Sequence, residues 1–363
     1  MKLIKKRRND EHFEEVVNDF ESFLFKNKII KYDLFYFPFF DDACLNTIFE
    51  QQESNIVIIF QHDNMEINTY QQLINKMLIN SDKKYVFFSS QLKTINFKNI
   101  FILNWGSCWL LERNARNLLT PVLEKDVKNK KHWISLNLVS HAHRILAGMI
   151  IKSLGLDNYG FLRLSMYPLA NIDSWQKYFT FPKNEKYNSL LTDGFNKLKK
   201  HDYVTPDYFE IYNKNILAPN VNNFNEHLRE FYKKVYVEIV NETTYDVIGI
   251  HVTEKFMNSV FGMNIPIING PCGLVSYLES VGFDMLRDVV DHSYDDISDP
   301  FERGVMLITL NKRLLSDTQY VEECYNACYE RLYNNYKVAV NLSNIIKNQL
   351  KAEYPNVINF LQR

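Results

Sequence analysis

Residues 247–296 read VIGIHVTEKFMNSVFGMNIPIINGPCGLVSYLESVGFDMLRDVVDHSYDD. The β-branched run at 247–252 predicts a strand, and Thr253 supplies an N-cap hydroxyl for the helix that follows it. The apolar residues of that helix recur at helical spacing: Phe256, Met257, Val260 and Phe261. A short apolar run at 266–269 predicts another strand, followed by a loop with two glycines. This succession is typical of an α/β unit that binds a ligand where its strands end.

A lysine stands in the first turn of the predicted helix, where a positive charge opposes the helix dipole. Lys255 at this position costs about 0.3–1 kcal/mol unless an anion lies between it and the backbone N–H groups. Phosphate is an anion that helix N-termini bind. Glu254 can accept ribose or sugar hydroxyls, and Lys255 can neutralise a leaving diphosphate. The residues predict a nucleotide-diphosphate site, with a solvated surface lysine as the alternative.

Composition restricts the class of protein. A chain of 363 residues favours two domains. Hydrophobic content of 46% excludes a disordered chain, and a mean hydropathy of -0.28 excludes an integral membrane protein. The net charge of -1 argues against a general nucleic-acid binder. The N-terminus has basic residues without an apolar stretch behind them, which predicts a cytoplasmic protein.

The first half of the chain predicts one α/β domain, over residues 1–170. It opens with an amphipathic helix at 11–24. Buried strands are predicted at 56–60, 85–89 and 99–103, with spacing that implies a parallel sheet. A fourth run at 132–138 leads into a helix with Ser140 as the predicted N-cap and Gly155 at its end.

The second half predicts a further α/β domain, over residues 229–318. The interval 171–228 is rich in Pro, Asn and Lys and predicts an irregular linker with some short helices. A strand at 235–240 precedes the 247–296 segment. Residues 319–363 predict a C-terminal helical segment. The expected fold is therefore α/β with two Rossmann-like domains.

A set of residues in the second half resembles the carboxyl-terminal domain of GT-B-type glycosyltransferases of bacteria and phages, which are distantly similar to fucosyltransferase-like enzymes. The set comprises Glu242, Thr253-Glu254-Lys255, Gly262, Pro266, Gly270, Gly273, Leu278, Gly282-Phe283 and the DHSYD stretch at 291–295. In the first half, a weaker likeness to the family's Asn/His-Arg helix and G-L turn rests on Asn137, His143, Arg144 and Gly155-Leu156.

The resemblance implies a GT-B-like fold whose two Rossmann-like domains face a cleft. It implies a nucleotide-sugar donor held by the second domain, with Glu254 and Lys255 at the nucleotide and diphosphate. The catalytic residues expected are His143, Glu254 and Lys255. The donor-binding residues expected are Arg144, Glu242, Thr253, Phe256, Gly270, Gly273 and Tyr294.

Several of these residues have a structural alternative. Gly270 and Gly273 can simply form a strand-to-helix turn, and Tyr294 can belong to the core. Arg144 can pair with a carboxylate across the fold. A neutral histidine suits a general base, and His143 is preferred over His141. Residues at i and i+2 of a helix cannot both face the cleft.

The acidic residues after position 290 are expected to be structural. Asp299, Pro300 and Glu302 match the N-cap, N1 and N3 positions of a capping box. Asp291, Asp295 and Asp296 could bind a divalent metal, but we expect no metal and no cofactor besides the nucleotide sugar itself.

The predicted function is transfer of a sugar from a nucleotide-diphosphate donor to an acceptor hydroxyl. The acceptor is a glycan or a hydroxylated base of phage DNA, since the Asn/Ile/Lys/Tyr-rich composition is typical of AT-rich coding sequences. The alternative is a non-catalytic nucleotide-sugar or glycan-binding protein with the same fold. Neither alternative involves insertion into a membrane.

Overall fold

The computed structural model describes residues 3–5, 11–37, 42–61, 67–89, 95–104, 120–126, 131–137, 141–164, 185–198, 203–204, 224–243, 245 and 252–363. The chain divides into two compact units. The first comprises Met1–Arg116, Val247–Glu254 and Val340–Arg363. The second comprises Asn117–Asp246 and Lys255–Ala339.

The secondary structure of the described residues is mixed α/β. The strands are β1 (Leu3–Lys5), β2 (Asp33–Phe37), β3 (Ile56–Gln61), β4 (Lys84–Ser89), β5 (Ile95–Asn96), β6 (Ile100–Asn104), β7 (Trp133–Asn137), β8 (Gly160–Leu164), β9 (Tyr203–Val204), β10 (Val237–Asn241) and β11 (Ile265–Asn269). The α-helices are α1 (Glu11–Lys26), α2 (Asp42–Gln51), α3 (Ile67–Ile79), α4 (Ala142–Ser153), α5 (Glu185–Leu198), α6 (Phe224–Tyr232), α7 (Glu254–Phe261), α8 (Leu274–Ser280), α9 (Pro300–Leu310), α10 (Lys312–Ser316) and α11 (Thr318–Gln362). No described helix combines the length and apolar character that crossing a lipid bilayer requires.

The first unit is built on a six-stranded sheet in the order β1-β2-β3-β4-β6-β5. Neighbouring strands pair in parallel, except β5, which pairs antiparallel with β6. Side chains along β3 and β4 alternate between two hydrophobic cores, because successive residues of a strand point to opposite faces. Both faces of these strands are buried, which explains their unbroken apolar sequences.

Helices from both ends of the chain cover one face of this sheet. Phe20 of α1 packs on Phe88 of β4 and Tyr354 of α11, with ring centroids 4.8 and 5.0 Å away. On the other face, Ile48 of α2 and Met77 of α3 are fully buried against the strands. The core of the first unit therefore requires the last residues of the chain.

The second unit has a five-stranded sheet in the order β11-β10-β7-β8-β9. Its first four strands are parallel, and β9 is antiparallel to β8. The chain passes from β7 to β8 on one side and later returns to the other side of β7 for β10 and β11. This reversal creates a topological switch point between β7 and β10. Open α/β sheets bind their ligands at the carboxyl ends of strands beside such a point.

Both faces of the second sheet are covered. Helices α4, α5, α9 and α11 contribute to a core that includes Trp133, Met149, Leu191, Leu307 and Val321. On the opposite face, Phe231 of α6 lies edge-on to Phe161 of β8, with centroids 5.5 Å apart. The four parallel strands are thereby fixed from both sides.

The expectation of an α/β fold with two units on mainly parallel sheets is confirmed, but the predicted boundary at residue 170 is wrong. Strand β7, helix α4 and strand β8 belong to the second unit, because β7 pairs with β10. The interval 171–228 is not only a linker, since Leu191 and Leu198 of α5 lie in the core of the second unit. The helical segment 319–363 is no separate domain, because α11 is divided between the two units.

Most local predictions are confirmed. The strands expected at 56–60, 85–89, 99–103, 132–138, 235–240 and 266–269 exist, as does the opening helix. Strands β2 and β8 were not predicted from the sequence. The strand predicted at 247–252 lies outside the described residues apart from Val252, and so does Ser140.

Candidate functional site

The carboxyl edge of the second sheet is lined by asparagines. Asn137, Asn241 and Asn269 end the neighbouring strands β7, β10 and β11, and each side chain is at most 3% exposed. The Asn269 amide donates to Asn241 Oδ1, and the Asn241 amide donates to Ser135 Oγ over 2.9 Å. The Asn137 amide also donates to Ser135 Oγ, over 3.2 Å. This polar chain fixes the strand ends on both sides of the switch point.

Lys255 lies in the first turn of α7, as the sequence predicted. Its ammonium donates a hydrogen bond to Thr243 Oγ1 over 3.1 Å, and Thr243 follows the end of β10. The side chain is half-buried. The ammonium is therefore held against the loop that leaves β10.

His143 and Arg144 of α4 meet the same loop. His143 Nε2 lies 2.8 Å from the backbone oxygen of Glu242, and Arg144 Nη2 donates to that oxygen over 3.2 Å. A carbonyl oxygen only accepts, so His143 carries its proton on Nε2. Burial, reinforced by the Arg144 charge, lowers the pKa of His143 to about 3. His143 is thus a neutral, buried imidazole whose one N–H is already used.

His141 occupies the N-cap position of α4, outside the helix, with φ -117° and ψ 150°. Its ring stacks on that of His143, with centroids 5.7 Å apart and planes inclined by 18°. The argument that residues at i and i+2 of a helix point apart does not apply to this pair, because His141 is not helical. Burial and the charges of Arg144 and Lys255 lower the pKa of His141 to about 4.

A buried arginine joins the loops around this site. Arg303 of α9 donates to the backbone oxygens of Gly270, over 3.1 Å, and of Tyr245, over 2.6 Å. It also donates to Ile297 O over 2.6 Å. Its guanidinium lies 4.6 Å above the Tyr245 ring, and that ring stacks on His143 with centroids 4.6 Å apart. Arg303 thereby links the loops after β10 and β11 to the start of α9.

The two glycines predicted to bind the donor lie in the turn between β11 and α8. Gly273 has φ +82°, a conformation that a side chain strains. Asp295 accepts hydrogen bonds from the backbone N–H groups of Val275, over 3.1 Å, and Ser276. A carboxylate thus already binds the N-terminus of α8. Donor binding by Gly270 and Gly273 stays a prediction, and this geometry favours the structural alternative of a strand-to-helix turn.

Two further donor-binding candidates are deeply buried. Tyr294 has no exposed surface, and its hydroxyl accepts from Ile268 N over 3.1 Å and lies 3.0 Å from His292 Nδ1. Phe256 is also fully buried and lies edge-on to Phe283, with centroids 4.9 Å apart. In these positions both side chains pack the second unit, and we assign them no contact with a ligand.

The remaining candidates lie at the ends of β10 and α7. Glu242 is fully buried directly after β10, and its backbone N–H donates to Asn269 O over 2.9 Å. Thr253 is buried and immediately precedes α7, which begins at Glu254. The helix boundary expected from the N-cap signal is confirmed. The Glu254 side chain lies outside the described residues.

The acidic segment before α9 is structural where it is described. Asp299 caps α9 by accepting from Glu302 N over 2.7 Å, with Pro300 in the first turn, as predicted. Asp291 accepts from both the backbone and the hydroxyl of Ser293. In the described part of the chain, no group of three or more His, Cys, Asp or Glu side chains is arranged to hold a metal ion.

Comparison with protein-family models, curated proteins and solved structures gives no match for this chain. The resemblance to the glycosyltransferases stays a prediction from the residues named above.

Several contributors to this site were not predicted from the sequence, although Asn137 of the asparagine chain was. Thr243, Tyr245, Arg303 and the asparagine chain contact the candidate residues or support the strand ends. The sequence did contain a signal for the asparagines, because each of the strands predicted at 132–138, 235–240 and 266–269 has an asparagine at its end or one residue from it. Tyr245 and Arg303 carry no such signal, since their contact joins positions 58 residues apart.

Proposed function

We propose that the protein is a glycosyltransferase that uses a nucleotide-diphosphate sugar and transfers the sugar to an acceptor hydroxyl. One observation carries this proposal. Two distant segments meet beside the switch point of the second sheet. The start of α7 provides Lys255, and the start of α4 provides Arg144 and two neutral histidines. Such a point is where α/β sheets place ligands, and two cations there favour a diphosphate.

Electrostatic effects support the grouping of these residues. The charges of Arg144 and Lys255 both lower the pKa of His141 and of His143. Two positive side chains therefore act on the same small volume beside the start of α4. The dianionic diphosphate of a nucleotide sugar entering this volume would be attracted by both, and the attraction would grow as charge develops on the leaving diphosphate.

In this proposal the reaction is a displacement at the anomeric carbon of the donor sugar. The acceptor oxygen forms a bond to the anomeric carbon as the bond between that carbon and the phosphate oxygen breaks. Lys255 and Arg144 stabilise the negative charge that collects on the diphosphate. The Glu254 carboxylate binds sugar or ribose hydroxyls in this proposal, and the acceptor is a glycan or a hydroxylated DNA base.

Donor binding is tested with a thermal-shift screen of uridine, guanosine, adenosine and cytidine diphosphate sugars. A donor that binds the folded state raises the melting temperature by mass action. Replacing Lys255 with alanine removes a charge-assisted contact of about 1.5–3 kcal/mol, which weakens donor binding about ten- to 150-fold. Lys312→Ala removes an exposed lysine from the same unit and should bind like the wild type.

Sugar transfer is measured by release of free nucleoside diphosphate in the presence of candidate acceptors. Lys255→Ala and Glu254→Ala should both lose transfer while remaining folded. Normal turnover by both variants would refute the proposal. Binding of a nucleotide sugar without any turnover would instead support the non-catalytic alternative.

A further inference from the structure

Four planar side chains form a continuous column beside the switch point. The guanidinium of Arg303 lies over Tyr245, Tyr245 stacks on His143 at an interplanar angle of 10°, and His143 stacks on His141. The column joins the start of α9, the loop after β10 and the start of α4. Three of its members are buried, whereas His141 at its end is partly exposed. The column therefore holds one accessible imidazole in a fixed plane.

The two histidines differ in what their nitrogen atoms can still do. His143 is 6% exposed and donates its N–H to Glu242 O. Among the described residues, no hydrogen-bond partner reaches either ring nitrogen of His141, and its only ring contact is His143. His141 can therefore donate to a ligand atom without breaking an existing bond, whereas His143 would have to break its bond to Glu242 O.

The surroundings of His141 are positively charged. Arg144 follows on the same helix and Lys255 approaches from α7, and both repel a proton on the ring. The His141 side chain makes no hydrogen bond that caps α4. An anion bound among these groups would raise the pKa of His141, because a nearby negative charge favours the protonated imidazole.

We propose that His141, and not His143, touches the donor: protonated when the diphosphate binds, it donates that proton to the leaving phosphate oxygen. The carbon–oxygen bond to the phosphate breaks, its electron pair stays on the phosphate oxygen, and the proton of His141 moves to that oxygen. The acceptor hydroxyl loses its own proton to solvent. His143 is a positioning residue that holds the His141 ring through the stack. This inference rests on the proposed function.

Binding of a diphosphate should consequently take up a proton. An adjacent opposite charge raises a pKa by roughly 1–3 units. If the pKa of His141 rises from about 4 by about two units, binding at pH 5.5 takes up about 0.7 proton at this group. By linkage, the same change makes binding about fourfold tighter at pH 5.5 than at pH 8.

The measurement is isothermal titration calorimetry with UDP, GDP and inorganic pyrophosphate, each used alone. Titrations at pH 5.5 in two buffers of different ionisation enthalpy give the number of protons taken up. Subtracting the proton uptake of His141→Gln from that of the wild type cancels the protons that bind to the ligand's own phosphate. His132→Gln is the matched control, because His132 lies at the start of β7 and binds Leu315 O and Thr318 Oγ1. His143→Gln retains an N–H donor for Glu242 O.

The expected result is that His141→Gln loses about 0.7 proton of uptake and the fourfold pH effect, whereas His132→Gln keeps both. His143→Gln loses the ring that stacks on His141, so it should bind the diphosphate more weakly at both pH values but still take up a proton. If His141→Gln binds a diphosphate with unchanged affinity and uptake while Lys255→Ala weakens it, His141 does not touch the diphosphate and only this inference falls. If none of the three ligands binds the wild type and the screen of the four kinds of nucleotide sugar finds no donor, the proposed function falls and this inference with it.

Discussion

Replacing Arg303 with methionine should destabilise the second unit strongly. Methionine keeps much of the apolar volume but removes the donors that bind the backbone oxygens of Gly270, Tyr245 and Ile297. Each buried carbonyl left without a donor costs about 1–3 kcal/mol, less where water replaces the donor. We expect a loss of about 3 kcal/mol in the free energy of unfolding. For a unit of this size, that lowers the melting temperature by about 6–12 °C.

The loss of stability is expected in the second unit, so the measurement must report unfolding of that unit. Hydrogen exchange of the Ile239 and Ile267 amides along a urea titration reports the opening of β10 and β11. Arg303→Lys should recover only part of the loss, because an ammonium cannot reproduce the planar fork of a guanidinium.

Arg331→Met provides the matched control. Arg331 pairs with Asp284 and Asp288 on a partly exposed surface, where such pairs contribute about 1 kcal/mol or less. If the free energy of opening of β10 and β11 in Arg303→Met lies within about 1 kcal/mol of the wild-type value, water or neighbouring groups satisfy the three carbonyls. The argument that Arg303 fixes these loops would then be refuted.

Two further predictions concern the second unit. Gly160→Ala should cost about 3 kcal/mol, because the new Cβ would overlap the buried Trp133 ring. Gly155→Ala has open space but φ +66° and should cost about 1 kcal/mol. Equal urea midpoints for the two variants would contradict this. Stability should also fall as the pH drops from about 6.5 towards 4. Burial lowers the pKa of His292 to about 4, so the unfolded chain binds a proton in this range that the folded chain excludes. Urea midpoints that stay constant from pH 7 to pH 4.5, in wild type and His292→Gln alike, would contradict that prediction.

Features set by neighbouring residues could be predicted from the sequence. The apolar runs at β3 and β4 identify buried strands, because few other short elements are apolar on both faces. The helix starts at Glu254 and Pro300 follow from the capping residues that precede them. Lys255 was singled out because its charge conflicts with the helix dipole, and that local conflict identified a residue that does lie at the switch point.

Features set by distant pairing could not be predicted in the same way. Nothing in the apolar pattern of β7 indicates that it pairs with β10, which lies about 100 residues later, and the domain boundary was misplaced for this reason. The stacking of His141 on His143 was not predicted, because α4 begins one residue later than the predicted N-cap Ser140 implies. Arg303 and Tyr245 were missed because their contact exists only after both loops have folded.

The participation of the chain's last residues in the first unit has a consequence for synthesis. Strands β2, β3 and β4 leave the ribosome long before Tyr354, Val357 and Leu361 of α11, which cover one of their faces. Until then that apolar face remains available to chaperones or to other nascent chains. Premature termination anywhere in the long last helix would therefore leave the first sheet, although fully translated, exposed to aggregation.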